Sequence, residues 1–188
     1  MTEPDAPILE AISNRRSPRA FAEREPTTAE LASIFEAARW ASSCFNEQPW
    51  RYIVARRSEG EIHAKALEGL NPFNRAWAAA APVIGFSLAR VEFGNGKPNR
   101  HAWHDVGAAT TQAAIQAASM GLVIHQMAGI EAEVVRAHFD VPEELEVVAG
   151  FALGWPGDPA SLPEPLRERE QAPRTRRPLS ELLLRGSL

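Results

Sequence analysis

Apolar positions recur at helical spacing in six stretches and crowd into short runs in four others. Ile8, Leu9 and Ile12 give the first stripe, which predicts a helix over Ala6 to Asn14. Pro18 stops it. The second helix is predicted over Thr27 to Trp40. Thr27 followed by Glu30 reads as a capping box, and Leu31, Ile34, Phe35 and Ala38 form the inner face. Ser58 with Glu61 reads as another such box, opening a helix to about Leu70, and Asn71-Pro72 breaks it. Phe73 to Ala80 reads as a further helix. A long Ala-rich helix is predicted from Ala102 to Met120, ended by Gly121. Its small side chains allow close approach by a neighbour. Glu131 to Phe139 completes the helices. Strands are expected at Tyr52 to Ala55, Pro82 to Leu88, Leu122 to His125 and Glu146 to Leu153. Gly94 to Arg100 is a polar loop, and Gly154 to Asp158 turns the last strand.

These helices and strands mix without regular βαβ alternation, which points to α+β. The tail has another character. Pro156, Pro159, Pro163, Pro165, Pro173 and Pro178 are six of the fifteen prolines. A segment this proline-rich does not form a compact unit by itself. It ends in Leu179-Ser180-Glu181-Leu182-Leu183-Leu184, apolar enough to be worth burying. An arm with a sticky end docks on something, and a second copy of the chain is the natural candidate.

Composition narrows the picture. The 188 residues are 45% hydrophobic and 23% charged, an ordinary globular balance for one domain spanning 1–188. The net charge of −4 and a pI near 5.8 give no sign of a nucleic-acid binder. The single Cys44 makes no internal disulfide, which fits a reducing compartment such as the cytoplasm. Met1 to Ile8 is acidic and poor in apolar residues, so a leader is not expected there. No apolar run approaches the ~20 residues of a membrane helix. Trp77 to Leu88 is the longest candidate and reads as a buried helix end running into a strand.

Three segments carry candidate chemistry. Arg15-Arg16-Ser17-Pro18-Arg19 puts three guanidiniums and a hydroxyl within five residues. Arg binds phosphate through paired, charge-assisted hydrogen bonds. The alternative is a solvated basic helix end. Ser42 to Trp50 offers two hydroxyls, a thiol and two carboxamides, enough to read the edge of a planar heterocycle. The alternative is a polar loop with Trp50 anchored in the core. His101, His104 and Asp105 share helical spacing and suit a metal by type. They lack an evident third strong ligand (His125 is the only other candidate), so no metal site is expected. Gly94-Asn95-Gly96 lacks the third glycine of a dinucleotide-binding turn.

Together the first two segments resemble the nitroreductase family of FMN-dependent NAD(P)H oxidoreductases. The resemblance rests on Arg15-Arg16-Ser17-Pro18-Arg19-Ala20-Phe21 and on Ala41-Ser42-Ser43-Cys44-Phe45-Asn46-Glu47-Gln48-Pro49-Trp50. It extends to Ala152-Leu153-Gly154-Trp155-Pro156 and Arg174-Thr175-Arg176-Arg177-Pro178-Leu179. It implies a central, mainly antiparallel sheet flanked by helices. A C-terminal arm from about 157 to 188 would embrace the partner of a homodimer. It implies FMN as cofactor, NADH or NADPH as co-substrate, and an electron-poor small molecule, such as a nitroaromatic or quinone, as acceptor.

The implied site follows residue by residue. Arg15, Arg16 and Ser17 would hold the FMN phosphate, with Arg174 and Arg176 returning to it. Arg19 would lie by the pyrimidine edge of the ring and assist reduction. Ser43, Cys44 and Asn46 would line the flavin of the partner subunit. Asn74 would contact the ring, and Ala128 and Gly129 would bring backbone amides near N5. Ser42 and Cys44 depart from the family's Pro and second Ser, and Ala128 stands where some members carry Glu. Cys44 reads as a small apolar filler. Because the flavin carries the chemistry, no protein acid or base is expected to be indispensable. Two other readings stay open: a flavin-binding or storage protein without turnover, and a reductive dehalogenase or flavin-fragmenting relative with Arg90 to Arg100 as its lid. Zinc-dependent hydrolysis at His101 and His104 is the reading without flavin.

Overall fold

The computed structural model describes residues 4–186. The first three and last two residues of the expected single unit, and so the end of its arm, lie outside the described residues. Seven α-helices are described: α1 (Glu10–Asn14), α2 (Thr28–Arg39), α3 (Glu61–Glu68), α4 (Pro72–Ala78), α5 (Ala102–Ser119), α6 (Ala132–Phe139) and α7 (Leu166–Gln171). Four strands accompany them: β1 (Trp50–Arg56), β2 (Val83–Arg90), β3 (Val123–Met127) and β4 (Leu145–Gly154). The sheet runs β1-β2-β4-β3 with every neighbouring pair antiparallel. The α+β expectation holds.

Both faces of this sheet are covered. Ala55, Ile84, Phe86, Leu88, Val147 and Ala152 pack with Ala66, Leu70, Trp77 and Val135 from α3, α4 and α6. Val83, Ala89, Phe151 and Leu153 pack with Ile34 and Ala38 of α2 and Val106, Ala109, Ala113 and Ala117 of α5. This three-layer arrangement explains why β2 reads as a continuous apolar run and not as an alternation. It also hides a bulge. Ser87 pairs with Ala149 but Leu88 pairs with Val147, so Val148 is the extra residue. Val147 therefore faces one layer while Phe151, at the same parity, faces the other.

Local signals fixed several boundaries. The Thr27 capping box is present: Thr27 Oγ1 accepts the Glu30 N–H at 3.2 Å, and the Glu30 carboxylate accepts the Thr27 N–H at 2.7 Å. The α5 helix ends within a residue of its expected limit, and Gly121 leaves it at φ +80°. Small residues on α5 let α2 lie close against it. The other capping box does not form. Ser58 turns away, its N–H and hydroxyl both donating to Glu25, and α3 opens at Gly60 with no side-chain cap. A carboxylate 33 residues upstream outcompetes the local partner. The first helix is shorter than expected, beginning at Glu10, and its stripe of Ile8, Leu9 and Ile12 is exposed in the single chain.

The tail is anchored before it becomes an arm. Leu162 and Leu166 are buried in the α3/α4/α6 layer, so the chain folds back on its own body as far as α7. Beyond that, Leu182 and Leu184 are exposed, the latter to 97%. Among the described residues no helix is long and apolar enough to cross a membrane.

His63 on α3 is buried, and its Nε2–H donates to the Ala81 carbonyl at 3.2 Å. Burial pushes its pKa below the ordinary 6.5, because charging would strip the ring of water. The unfolded chain then binds the proton more readily. The stabilisation is present above pH 6.5 and is lost as pH falls through the lower folded value. Thermal unfolding followed from pH 7.5 to 5 is expected to show falling Tm, and His63→Gln should flatten that slope.

Candidate functional site

Main-chain pairing brings the chain's basic segment to the end of the sheet. After β4, the carbonyl of Trp155 accepts the Ala22 N–H, and the Gly157 N–H donates to the Ala20 carbonyl, both at 2.9 Å. Phe21 and Pro156 thus form a short antiparallel bridge. Gly157 is required there, since a Cβ would stand 2.5 Å from the Phe21 backbone. Arg15 to Arg19 is thereby fixed beside the Gly-Trp-Pro turn.

The tail returns to the same place. Arg174 donates to the carbonyls of Arg15 (2.9 Å) and Ser13. Arg15 donates to the Ser17 hydroxyl at 3.1 Å. Burial first, then the charges of Arg174, Arg176 and Arg16, push the Arg15 guanidinium below its ordinary pKa. Arg174 is lowered by burial and by Arg176 and Arg16. Four guanidiniums from opposite ends of the sequence therefore crowd together and repel one another. Such a grouping of guanidiniums suits an anion of the phosphate type by its chemistry.

Next to this grouping lies a second cluster. The Arg19 guanidinium carbon sits 5.7 Å from the centroid of the Trp77 ring, and Arg19 Nε is buried without a hydrogen-bond partner among the described residues. His125 tilts against Trp77, with centroids 4.6 Å apart. Its Nδ1 lies 3.0 Å from the Pro18 carbonyl, which can only accept, so Nδ1 carries the proton. Burial pushes the His125 pKa down, the neighbouring Arg19 adding to this. His125, weighed above as a third metal ligand, is held here as a brace of the basic segment. Trp77 Nε1–H donates to Asn74 Oδ1 at 3.3 Å, and Asn74 Nδ2 donates to the Gly129 carbonyl at 3.0 Å. The Asn71 N–H donates to the same carbonyl. A Cβ on Gly129 would stand 2.3 Å from Asn71 Nδ2. Asn74 is thus a clamp on the turn after β3 as well as a candidate ring contact. Ala128 in that turn is exposed and Gly129 half-buried.

Arg15, Arg16, Ser17, Arg174 and Arg176 gather beside the Gly-Trp-Pro turn, and Arg19 links them through Trp77 and Asn74 to the Gly129 carbonyl past the other end of β3. Arg16, Ser17 and Arg19 line a cleft of about 420 Å³ with Ala118 at the end of α5. Ser43, Cys44 and Asn46 do not join them. The Cys44 N–H donates to Asp105 Oδ2 at 3.0 Å, in the first turn of α5. Thirteen helical residues separate Asp105 from Ala118, so the two groups lie at opposite ends of α5, about 20 Å apart. The loop itself is tightly specified. Phe45, Asn46 and Gln48 adopt φ of +53°, +59° and +51°. Trp50 behind it is buried. The positive φ at Phe45 costs about 1 kcal/mol or more, which marks a built feature and not a slack connection.

The histidine pair assembles nothing comparable. His101 is exposed, and His104 approaches only Asp105, at 3.3 Å. Among the described residues no three His, Cys, Asp or Glu side chains could hold a metal. Asp105 instead fixes the Cys44 loop. Sequence reasoning missed Glu170, whose carboxylate accepts the Arg19 N–H. No local pattern signals a contact across 151 residues.

An antiparallel α+β sheet thus ends beside a group of four arginines, with the half-buried Arg19 next to it, an arrangement suited to an anionic ligand. The comparisons with known proteins make this specific. The Nitroreductase family profile matches residues 12–92 and 61–155, and the chain belongs to that family. A solved structure of "the oxidoreductase containing FMN" superposes with a TM-score of 0.91 at 34% identity, covering 98% of this chain and 94% of the other. A 15.4 kDa protein of Mycolicibacterium smegmatis without assigned function is 36% identical over 143 residues, 72% of this chain and 95% of its own. An Archaeoglobus fulgidus protein, named "Putative NADH dehydrogenase/NAD(P)H nitroreductase", is 27% identical over 158 residues, 80% of this chain and 86% of its own.

Proposed function

We propose that this chain is an FMN-dependent oxidoreductase. It uses NADH or NADPH to reduce electron-poor small molecules, such as nitroaromatics or quinones, in a ping-pong sequence, and it works as a homodimer. The observation that carries this reading is the convergence of Arg15, Arg16, Arg174 and Arg176 beside the unpaired Nε of Arg19. FMN held there would supply the hydride-transfer chemistry between the nicotinamide donor and the acceptor.

The chain supplies position and charge. Arg15, Arg16, Ser17, Arg174 and Arg176 hold the phosphate. Arg19 would offer a cation in a partly dehydrated setting to the negative charge that reduction builds on the ring. Asn74 and Gly129 shape the turn that meets the ring, with Ala128 presenting backbone there. The names of the similar proteins support FMN and a nicotinamide donor. The gap of about 20 Å supports the dimer reading. Ser43, Cys44 and Asn46 complete a site only if a partner brings its own loop to the arginine group. The exposed Leu9, Ile12, Leu182 and Leu184 are the surface such a partner would cover.

The visible spectrum of purified protein, loaded with FMN and mixed anaerobically with NADH or NADPH, tests this. A yellow dimer that bleaches is expected. Loading without bleaching makes the chain a flavin store, and failure to load overturns the reading. Arg19→Ala is expected to slow hydride transfer roughly a hundredfold by stopped flow; an unchanged rate removes Arg19 from that role.

A further inference from the structure

We infer that Glu170 is a positioning residue for Arg19: from α7 it fixes the main chain that carries the guanidinium, and through it sets how readily bound flavin is reduced. This rests on the FMN reading above. Glu170 Oε1 and Oε2 accept the Arg19 N–H at 2.9 and 3.1 Å, and Oε1 reaches the Ala20 N–H at 3.4 Å. Arg16, Arg19 and Arg169 line the same cleft as Glu170. A carboxylate placed only for charge balance would meet a guanidinium, yet this one caps two amides. From the other side, His125 Nδ1–H holds the Pro18 carbonyl. Pro18, Arg19 and Ala20 are therefore gripped on both edges.

The side chain of Arg19 is held far more weakly. Its Nε has no hydrogen-bond partner among the described residues. Its distance of 5.7 Å from the Trp77 centroid is near the outer limit of a cation–π contact, about 6 Å. The direction of the guanidinium is thus inherited from the backbone. Hydrogen bonds to a charged acceptor are strong enough to define that backbone. Glu170 is itself fixed, because Leu162 and Leu166 seat α7 in the core.

Charge and placement act on the flavin in opposite senses. The negative charge of Glu170 opposes electron uptake, so removing charge alone raises the reduction potential. Releasing Arg19 withdraws a stabilising cation and lowers it. Glu170→Asp keeps the charge and retracts the carboxylate by one methylene. Glu170→Ala removes both. The FMN-loaded Glu170→Asp protein, in which only the placement is lost, is expected to show a lower potential and reduction by NAD(P)H slowed about tenfold. In the flavin-free protein, amide exchange at Arg19 and Ala20 should speed up at least tenfold. In an Arg19→Ala background, Glu170→Asp should add little. An unchanged or raised potential in Glu170→Asp overturns the inference, even where Glu170→Ala fails to fold. A wild-type protein that takes up no FMN fails the underlying reading, and this one with it. Normal loading with an unmoved potential fails Glu170 alone.

Discussion

Replacing Arg15 with Ala is expected to weaken FMN binding about a hundredfold. A guanidinium meeting a phosphate makes two charge-assisted hydrogen bonds, and a loss of about 2.7 kcal/mol corresponds to that factor. Arg15 is the member of the group on which burial and three other arginines press together. The flavin-free protein should not suffer, since removing one of four repelling charges relieves the rest. Titration followed by flavin fluorescence gives the affinity, and thermal unfolding gives the stability. Riboflavin, which lacks the phosphate, is the control. Its weaker binding should be unaffected by Arg15→Ala. If FMN and riboflavin weaken equally, Arg15 holds the fold of the site and not the phosphate.

Gly85→Ala is expected to destabilise the protein by about 3 kcal/mol. Gly85 lies mid-strand in β2, opposite Val54 and Phe151. An added Cβ would stand 2.3 Å from the Ile53 carbonyl oxygen and 2.3 Å from the Phe151 ring. The first of these is backbone of a paired strand, which cannot swing aside as a side-chain tip can. A chain of this size should lose roughly 6–12 °C in Tm. Gly107→Ala on α5 is the matched control, because nothing stands within 4 Å of its Cβ position. Equal Tm for the two variants would show that the sheet accommodates the methyl by shifting β1.

Both effects depend on contacts between segments far apart in sequence, and legibility divides along that line. The elements were readable because their signals are local. Thr27 and Glu30 cap each other within one turn, and Gly121 supplies the positive φ that ends α5. Ala102 to Ala117 repeats small residues on one helical face. Arg15 to Arg19 was readable as a candidate anion site because five consecutive residues suffice to state it. Ser58 shows where such reasoning fails. Its local partner Glu61 satisfies the pattern, yet Glu25 is closer in the folded chain. The Val148 bulge was invisible because both faces of β4 are apolar, so a parity change leaves no mark on the sequence.

The sequence by itself determined the α+β class, the limits of most helices and strands, and the residue types able to hold a phosphate. Each follows from interactions spanning a few residues, whose geometry the backbone fixes in advance. Only the tertiary structure decided that Arg174 returns to Arg15, that Glu170 caps Arg19 and that the Cys44 loop sits at the far end of α5. Those placements arise from packing two layers of helices on one sheet. Chain separation carries no information about distance once the chain is compact.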